Sequence, residues 1–234
     1  MIPKLKGYRI PWSIIHFCVY AYHRFSLSYR DIEELMLVRG LTVSYESIRQ
    51  WCIKFAGHFT NILKKKEPVR ADKWHLDEMH TRINGEKYVL WRAVDSNGYE
   101  LDILVQKRKN TKAAMRFLKR LLGSHPEPRV IVTDKLRSYS KPIKNLCPNA
   151  DHRRHKGLNN RVENAHQPTR RREKSMIKMK SVAYTQTMLS LMGTLRNSFS
   201  IDVGRYNNTA DVRRDKLKLA LNSWKNAASE ILCA

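Results

Sequence analysis

The apolar residues of roughly the first sixty positions recur every three or four residues, the spacing of helices with one buried face. One such stripe runs from Trp12 to Tyr22. Residues 28–31 form a capping-box sequence that predicts the start of a second helix, and Gly40 ends that helix. Ser44 can cap a third helix, in which the apolar residues between positions 48 and 55 share one face. Two helices joined by a glycine-containing turn are typical of a helix-turn-helix.

Beyond residue 73 the pattern changes to the alternation and turn signals of strands. Three strands are predicted between positions 74 and 105, with the hairpin dipeptide Asn84-Gly85 between the first two. A helix capped by Asn110 follows, and then a continuously apolar strand at 130–134. Three antiparallel strands followed by helix, strand, helix, strand and helix is the order of an RNase H-like domain, which belongs to the mixed α/β class.

These changes in pattern predict four segments. They are a helical helix-turn-helix DNA-binding domain at 1–61, a basic linker at 62–73, an RNase H-like catalytic domain at 74–200 and a C-terminal helical tail at 201–234. The tail contains one amphipathic helix, and its role is not evident from the pattern alone.

The charge of the chain points to a polyanionic partner. Lys and Arg number 45 against 21 Asp and Glu, which gives a formal net charge of +24 over 234 residues. A balance this basic favours nucleic acid or an anionic membrane, and the longest apolar stretch, 14–22, is too short to span a bilayer. The four cysteines form no CxxC pair, as expected of a reducing compartment. We therefore predict a cytoplasmic protein that binds nucleic acid and no membrane.

Three carboxylates fall where a sheet and a helix can bring them together. Asp77 lies inside the first predicted strand, Asp134 ends the apolar strand, and Glu163 opens a helix rich in Arg and Lys. Carboxylate oxygens are the ligands that Mg²⁺ prefers, and two such ions can serve both oxygens of a phosphoryl displacement. We predict that Asp77, Asp134 and Glu163 are the catalytic residues and hold two Mg²⁺ ions, for which Mn²⁺ can substitute.

Each acid also has an ordinary explanation when taken alone. An Asp after a strand commonly caps a turn, and a Glu among arginines is commonly a solvated ion-pair partner. Asp77 is harder to dismiss, because a mid-strand acid destabilises the fold unless something pairs it. Glu78 should point to the opposite sheet face, so only one of the two adjacent acids is expected to bind metal. A zinc site at His152 and His155 is disfavoured, because they lack cysteine partners at finger spacing.

Two groups of polar residues are candidate DNA contacts. On the third helix the exposed face is predicted to carry residue types that contact base edges or phosphates, namely Ser47, Arg49, Gln50 and Lys54. An ordinary helical hairpin with a solvated face is the alternative. The helix of Glu163 carries a polar stripe and a run of cations that are predicted to face a substrate groove, namely His166, Gln167, Arg170, Arg171, Arg172 and Lys174.

Several segments together resemble a known family. They are "WHLDE", "NGEKYVLWRAVDSNGYELDILV", "KAAMRFLKRLL", "VTDKLRSY", "HRRHKGLNNRVENAHQPTRRREK" and, near the N-terminus, "SLSYRDIEELMLVRGLTVSYESIRQW". This combination is similar to the DDE transposases of bacterial insertion sequences, in particular to the family whose members form composite antibiotic-resistance elements. The resemblance extends from about position 26 to about position 199.

The resemblance implies a reaction and roles for individual residues. Asp77, Asp134 and Glu163 match the triad, and Arg170 matches the basic residue two helical turns after the Glu. It implies a bacterial protein whose partner is double-stranded DNA, both transposon ends and target. It further implies binding of terminal inverted repeats, metal-dependent strand cleavage and strand transfer into target DNA by a homodimer or higher oligomer. Only residues 135–162, 28 positions, separate the last two acids, fewer than is usual. The shortened part falls in a predicted loop, so the site is expected to be intact.

Two other functions fit the same sequence features. The chain could be a non-catalytic DNA-binding protein, a decayed or domesticated transposase, although the three retained carboxylates argue against this. It could also be an RNase H-like nuclease that cleaves hybrids or junctions, although the predicted helix-turn-helix favours duplex DNA.

Overall fold

A computed structural model describes residues 7–67, 71–134, 137–154, 160–175, 179–200 and 209–233, except for the side chains of residues 160–164 and 175. The elements in chain order are α1 (Trp12–Arg24), α2 (Tyr29–Leu37), α3 (Tyr45–Lys65), β1 (Lys73–Ile83), β2 (Glu86–Asp95), β3 (Glu100–Gln106), α4 (Thr111–Leu122), β4 (Val130–Thr133), α5 (Ser140–Leu146), β5 (Asp151–Arg154), α6 (Asn160–Ser175), α7 (Val182–Ser198) and α8 (Ala210–Cys233). The chain divides into two compact units, of which the first combines Met1–Glu67 with Ser190–Ala234 and the second is Pro68–Leu189.

The helix starts predicted for the first unit are confirmed. The Ser28 hydroxyl accepts a hydrogen bond from the Asp31 backbone at 3.1 Å, and the Asp31 carboxylate accepts one from the Ser28 backbone at 2.7 Å. Ser44 caps α3 by accepting from the Ser47 backbone at 3.3 Å. Gly40, in the turn between α2 and α3, has a φ of +74°, a left-handed conformation that glycine adopts without steric cost.

The last helix is a core element of the first unit. The ring of Trp224 in α8 stacks on Phe59 of α3, with centroids 3.9 Å apart and an interplanar angle of 13°. On the next turn of α8, the carbonyl of Ala228 accepts a hydrogen bond from the Trp12 indole at 2.9 Å. Trp224 and Phe59 are both fully buried, so α8 completes a hydrophobic core that α1 and α3 leave open.

The boundaries of this unit differ from the predicted segments. The linker expected at 62–73 is shorter, because α3 continues to Lys65 and β1 already begins at Lys73. The amphipathic helix expected in the tail at 201–234 is α8, and it packs against the N-terminal helices. The apolar stripe of α8 was visible in the sequence, but the surface that it buries was not.

The second unit contains a five-stranded mixed sheet in the order β3-β2-β1-β4-β5. Strands β1, β2 and β3 are antiparallel, whereas β4 runs parallel to both β1 and β5. The predicted hairpin at Asn84-Gly85 is confirmed, and both residues have positive φ, as the tight turns of hairpins require.

Helices cover the two faces of this sheet. On one face, α4 and α5 pack on Trp91 and Ile131 through Phe117 and Ile143, all of which are buried. On the other face, α6 packs on β1 and β2, with Ala165 against Val94. The strand order and helix positions confirm the predicted mixed α/β, RNase H-like domain. Among the described residues, no helix is both long and apolar enough to cross a membrane.

The packing of α8 yields a stability prediction. Trp224→Ala should lower the free energy of unfolding by about 3–5 kcal/mol, because it leaves a cavity between α3 and α8. The matched change Leu219→Ala, at a side chain of the same helix that is 68% exposed, should cost no more than about 0.5 kcal/mol. Urea unfolding followed by circular dichroism measures both. Equal, small effects would show that α8 does not contribute to the core.

Candidate active site

The register of β1 with β4 brings two of the three predicted carboxylates together. The last paired residues of these parallel strands are Leu76 and Thr133, so the next positions, Asp77 and Asp134, lie side by side at the ends of the pairing. Each of the two residues, together with Glu78, offers a carboxylate oxygen within 4.8 Å of the others. The predicted proximity of Asp77 and Asp134 is therefore a feature of the fold.

This grouping suits a divalent cation. Carboxylates this close repel each other, and a bound cation removes the repulsion. Oxygen ligands of this charge and spacing are those that Mg²⁺ or Mn²⁺ takes. Among the described residues, the group of potential metal ligands consists of carboxylates, and no histidine belongs to it. Of the two histidines in the disfavoured zinc interpretation, His152 lies 2.9 Å from the Thr133 hydroxyl, and His155 lies outside the described residues.

Glu78 points to the sheet face that the sequence predicted, yet its carboxylate lies close to the two aspartates. Strand alternation does direct it to the α4–α5 face, where its carboxyl lies near the buried Tyr139. Its carboxylate nevertheless has an oxygen within 4.8 Å of oxygens of Asp77 and Asp134, and the expectation that only Asp77 of the two adjacent acids binds metal stays a prediction. Glu78 directly follows Asp77 at the end of the pairing between β1 and β4. The extra methylene of its side chain lets the carboxylate approach those of the two aspartates.

The surroundings of Glu78 make it a buried, paired acid. Its side chain is 0% exposed, and one of its oxygens lies 3.0 Å from the ammonium of Lys109, just before α4. Burial raises the pKa of Glu78, while the nearby Tyr139 hydroxyl and the charge of Lys109 oppose that rise. Burial, and secondarily the charge of Glu78, hold the pKa of Tyr139 well above its ordinary value. Through Lys109 and Tyr139, Glu78 connects the carboxylate group to the α4–α5 layer that packs on this face of the sheet.

His166 lies at the site in a different role from the one predicted. It was expected to face a substrate groove from α6, but its side chain is 3% exposed. Its Nε2 atom is 3.2 Å from an Asp77 oxygen, and its Nδ1 atom is 3.4 Å from a guanidinium nitrogen of Arg92. His166 is therefore an inward-facing partner of Asp77, and no surface of it is left for DNA.

Arg172 is a second correction on α6. It was expected among the DNA contacts, but it is 0% exposed, whereas its neighbours Arg170 and Arg171 and the nearby Lys174 are exposed. Successive helix positions are rotated by about 100°, so three consecutive arginines cannot all share the solvent face. Gln167 is exposed as predicted.

The exposed cations of α6 border a concavity beside the carboxylates. This concavity has a volume of about 540 Å³. It is lined by Glu78, Met79, His80, Arg170, Glu173 and Lys174. Of the three clustered carboxylates, Glu78 lines this concavity and the two aspartates do not. The cations Arg170 and Lys174 on its rim are suited to a phosphate backbone.

The predicted DNA-contact face of α3 is formed largely as expected. Arg49, Gln50 and Lys54 are exposed, while Ser47 is half-buried. Arg49 donates to Glu46 at 2.6 Å and Gln50 does so at 3.2 Å. These two hydrogen bonds, that of Arg49 first, lower the pKa of Glu46 to about 2. The face therefore carries a prearranged polar cluster.

Glu163 lies within α6, three residues before His166, and its side chain is outside the described part of the chain. Its convergence with Asp77 and Asp134 stays a prediction. The shortened spacing before it still accommodates β5, which pairs with β4 along its four residues.

Comparison with known proteins agrees with this geometry. A family profile described as a DDE domain matches residues 71–201, more than half of the chain. The chain belongs to the DDE transposases of insertion sequences. It is 35% identical over 159 residues to the Staphylococcus aureus transposase for insertion sequence-like element IS431mec, covering 66% of this chain and 71% of that protein.

A second transposase and one solved structure are also similar to this chain. The transposase for insertion sequence element IS257 in transposon Tn4003, also from Staphylococcus aureus, is 35% identical over the same share of both chains. Among solved structures, the HTLV-2 integrase catalytic core domain in complex with magnesium has a TM-score of 0.44 and 15% identity, with 65% of this chain and 97% of that chain covered. The family match includes Asp77, Asp134 and Glu163 within one domain.

Sequence reasoning missed the buried partners of the site. Arg92 is a cation inside an otherwise apolar strand, and such a residue needs a buried partner for the same reason as Asp77. That signal was present in "VLWRAVD" and could have been used. Lys109 and Tyr139 gave no comparable signal, because each lies just before a helix, where a lysine or a tyrosine is common.

The two neighbouring acids of β1 should differ in their effect on metal binding. Glu78→Gln should leave Mn²⁺ affinity nearly unchanged, because Lys109 already neutralises this carboxylate, whereas Asp77→Asn should abolish Mn²⁺ binding. Calorimetric titration with Mn²⁺ measures both, and circular dichroism checks folding. A loss with Glu78→Gln as complete as that with Asp77→Asn would make Glu78 a metal ligand.

Proposed function

We propose that this chain is an active transposase that binds the terminal inverted repeats of an insertion sequence, cleaves a strand there and joins it to target DNA. The observation that carries the proposal is the carboxylate pair Asp77 and Asp134 at adjacent strand ends of an RNase H-like sheet. Family membership supports the reaction class.

The carboxylates of Asp77, Asp134 and Glu163 would hold two Mg²⁺ ions, with Mn²⁺ as a substitute. The chemistry supplied by such ions is activation of the attacking oxygen and charge stabilisation on the leaving oxygen. The fit rests on the donor set, since two carboxylates already meet and α6 carries the third within one turn of His166, which contacts Asp77.

The reaction consists of two in-line displacements at phosphorus. In the first, water attacks at the transposon end as the bond from phosphorus to the 3′-oxygen breaks, which leaves a 3′-hydroxyl and a 5′-phosphate. In the second, that 3′-hydroxyl loses its proton and attacks a target phosphate. The 3′-oxygen of the target strand leaves and takes up a proton. The role of the protein is to position these groups and stabilise their charge.

The exposed residues of α6 would hold the DNA backbone along the concavity. Gln167 can donate to phosphate oxygens, and Arg170, Arg171 and Lys174 supply charge. Such contacts are independent of sequence and bring the backbone to the carboxylates.

The face of α3 would provide recognition of the inverted repeats, with Arg49 and Gln50 on base edges and Ser47 and Lys54 on phosphates. Arg49 and Gln50 are held by Glu46 in the free chain. Base contacts must therefore replace existing hydrogen bonds, which disfavours sites that offer poor partners.

Strand transfer requires two ends in one complex, and each chain contributes one carboxylate site. A homodimer or higher oligomer on DNA follows from this requirement.

Replacing Asp134 should separate catalysis from binding. Asp134→Asn should remove Mg²⁺-dependent nicking of an end sequence and leave end binding nearly unchanged, because it removes a metal ligand far along the chain from α3. The matched control Asp72→Asn changes an exposed aspartate near the other end of β1 and should retain nicking. Nicking and gel-shift assays on the same DNA measure the two properties.

Two outcomes would contradict the proposal. A wild-type chain that binds ends without nicking them would be a decayed transposase. Preferential cleavage of an RNA–DNA hybrid over the end sequence would identify a nuclease.

The two DNA-contact groups should differ in specificity. Gln50→Ala should cost about 1–3 kcal/mol on cognate ends and little on random DNA. Arg171→Ala should weaken both DNAs alike and reduce the slope of log affinity against log salt by about 1. Fluorescence anisotropy over a salt series measures both. If Gln50→Ala weakened both DNAs equally, α3 would be a structural hairpin and not the recognition helix.

A further inference from the structure

Arg92 is a buried cation at the centre of the sheet face that α6 covers. Its side chain is 3% exposed, and its Nε atom lies 3.1 Å from the carboxylate of Glu100, which is 6% exposed. A buried guanidinium is tolerated only where its charge is paired and its donors are used. Glu100 pairs the charge, which leaves the terminal nitrogens free to bind the helix above.

Those terminal nitrogens bind α6 at three points. One donates to the carbonyl of Ala165, and the other donates to the Thr169 hydroxyl at 2.6 Å. Pro168 lies between these two residues, and a proline removes a hydrogen bond from the helix and opens the turn before it. The carbonyl left without its helical donor is that of position 164, so the contacts of Arg92 lie beside this gap and add to the hydrogen bonds of the helix.

The third contact determines the state of the His166 ring. A guanidinium has donors and no acceptor, so the His166 Nδ1 atom, 3.4 Å from Arg92, is placed to accept. The ring hydrogen is then on Nε2, which lies 3.2 Å from an Asp77 oxygen and donates to it. The contacts form one line from Glu100 through Arg92 and His166 to Asp77.

We propose that Arg92 and His166 are positioning residues, which orient the Asp77 carboxylate for metal. The His166 Nε2–H holds one Asp77 oxygen, so the other is directed toward Asp134. Arg92 fixes the ring and holds the segment of α6 that carries Glu163. Partners of this kind behind a metal ligand typically contribute 10–100-fold in metal affinity. This inference rests on the proposed metal chemistry of the site and adds to it the groups that align the ligands.

A purely structural role is the rival explanation, because Arg92 also joins α6 to the sheet. Two substitutions of His166 separate the roles. In His166→Asn the amide can reach Arg92 but is too short to reach Asp77. In His166→Gln the longer side chain places an amide N–H near the position of Nε2, within reach of Asp77. Both are neutral, polar and smaller than histidine, so the cavities that they leave are similar.

The test is Mn²⁺ affinity measured by calorimetry on the full chain without DNA, together with thermal unfolding. His166→Asn should bind Mn²⁺ 10–100-fold more weakly than the wild type while unfolding at nearly the same temperature. His166→Gln should restore most of the affinity. His125→Phe, at a part-buried histidine packed against Trp74, is the control and should bind Mn²⁺ like the wild type.

A wild-type affinity in His166→Asn would overturn the proposal, as would equal losses in the Asn and Gln variants. Arg92→Lys gives a second test, because lysine keeps the charge near Glu100 but cannot span the three contacts on α6. It should weaken Mn²⁺ binding as well, and unchanged affinity in that variant would count against the proposal. Mn²⁺ binding is measured without DNA. If the wild type failed to nick DNA, the proposed function would be contradicted, but the Mn²⁺ affinities of the variants would still test the roles of Arg92 and His166.

Discussion

The repulsion between Asp77 and Asp134 is the constraint on which the catalytic unit depends. Parallel pairing of β1 with β4 ends one residue before each aspartate, so the same register that joins the strands also forces two carboxylates together. Such a pair destabilises the fold unless cations or donors compensate it. The compensation comes from both sides of the sheet, with Lys109 reaching the neighbouring Glu78 from below and His166 reaching Asp77 from above. The divalent ion that we propose for this site would complete it.

The two faces of the sheet differ in polarity. The α4–α5 face is a hydrophobic core around Trp91 and Phe117, into which Glu78 and Tyr139 bring a small polar cluster. The α6 face is polar at its centre, where Arg92 links β2, β3 and the helix. A buried polar network with satisfied partners permits few alternative arrangements, so it can fix a helix more exactly in position than apolar contacts can. That property suits a helix that carries Glu163, the proposed third metal ligand.

The sequence predicted the features that depend on local pattern. Helix caps at Ser28 and Ser44, the hairpin at Asn84 and the strand order follow from spacing and turn chemistry, and the structure confirms them. Features that depend on tertiary contacts were missed. Alternation gave the face of Glu78 but not the reach of its side chain, and a run of three arginines did not reveal that Arg172 points inward. The burial of Trp224 against Phe59 joins residues far apart in the chain, which no local pattern records.

The central claim is that Asp77 and Asp134 hold a catalytic metal, and anomalous diffraction from crystals soaked in Mn²⁺ tests it most directly. A manganese peak is expected between the two carboxylates, at coordination distances of roughly 2.0–2.6 Å from their oxygens. The Glu163 carboxylate should complete the site, and His166 should remain on the far oxygen of Asp77. Manganese bound only elsewhere, with Asp77 and Asp134 contacting protein groups alone, would contradict the claim.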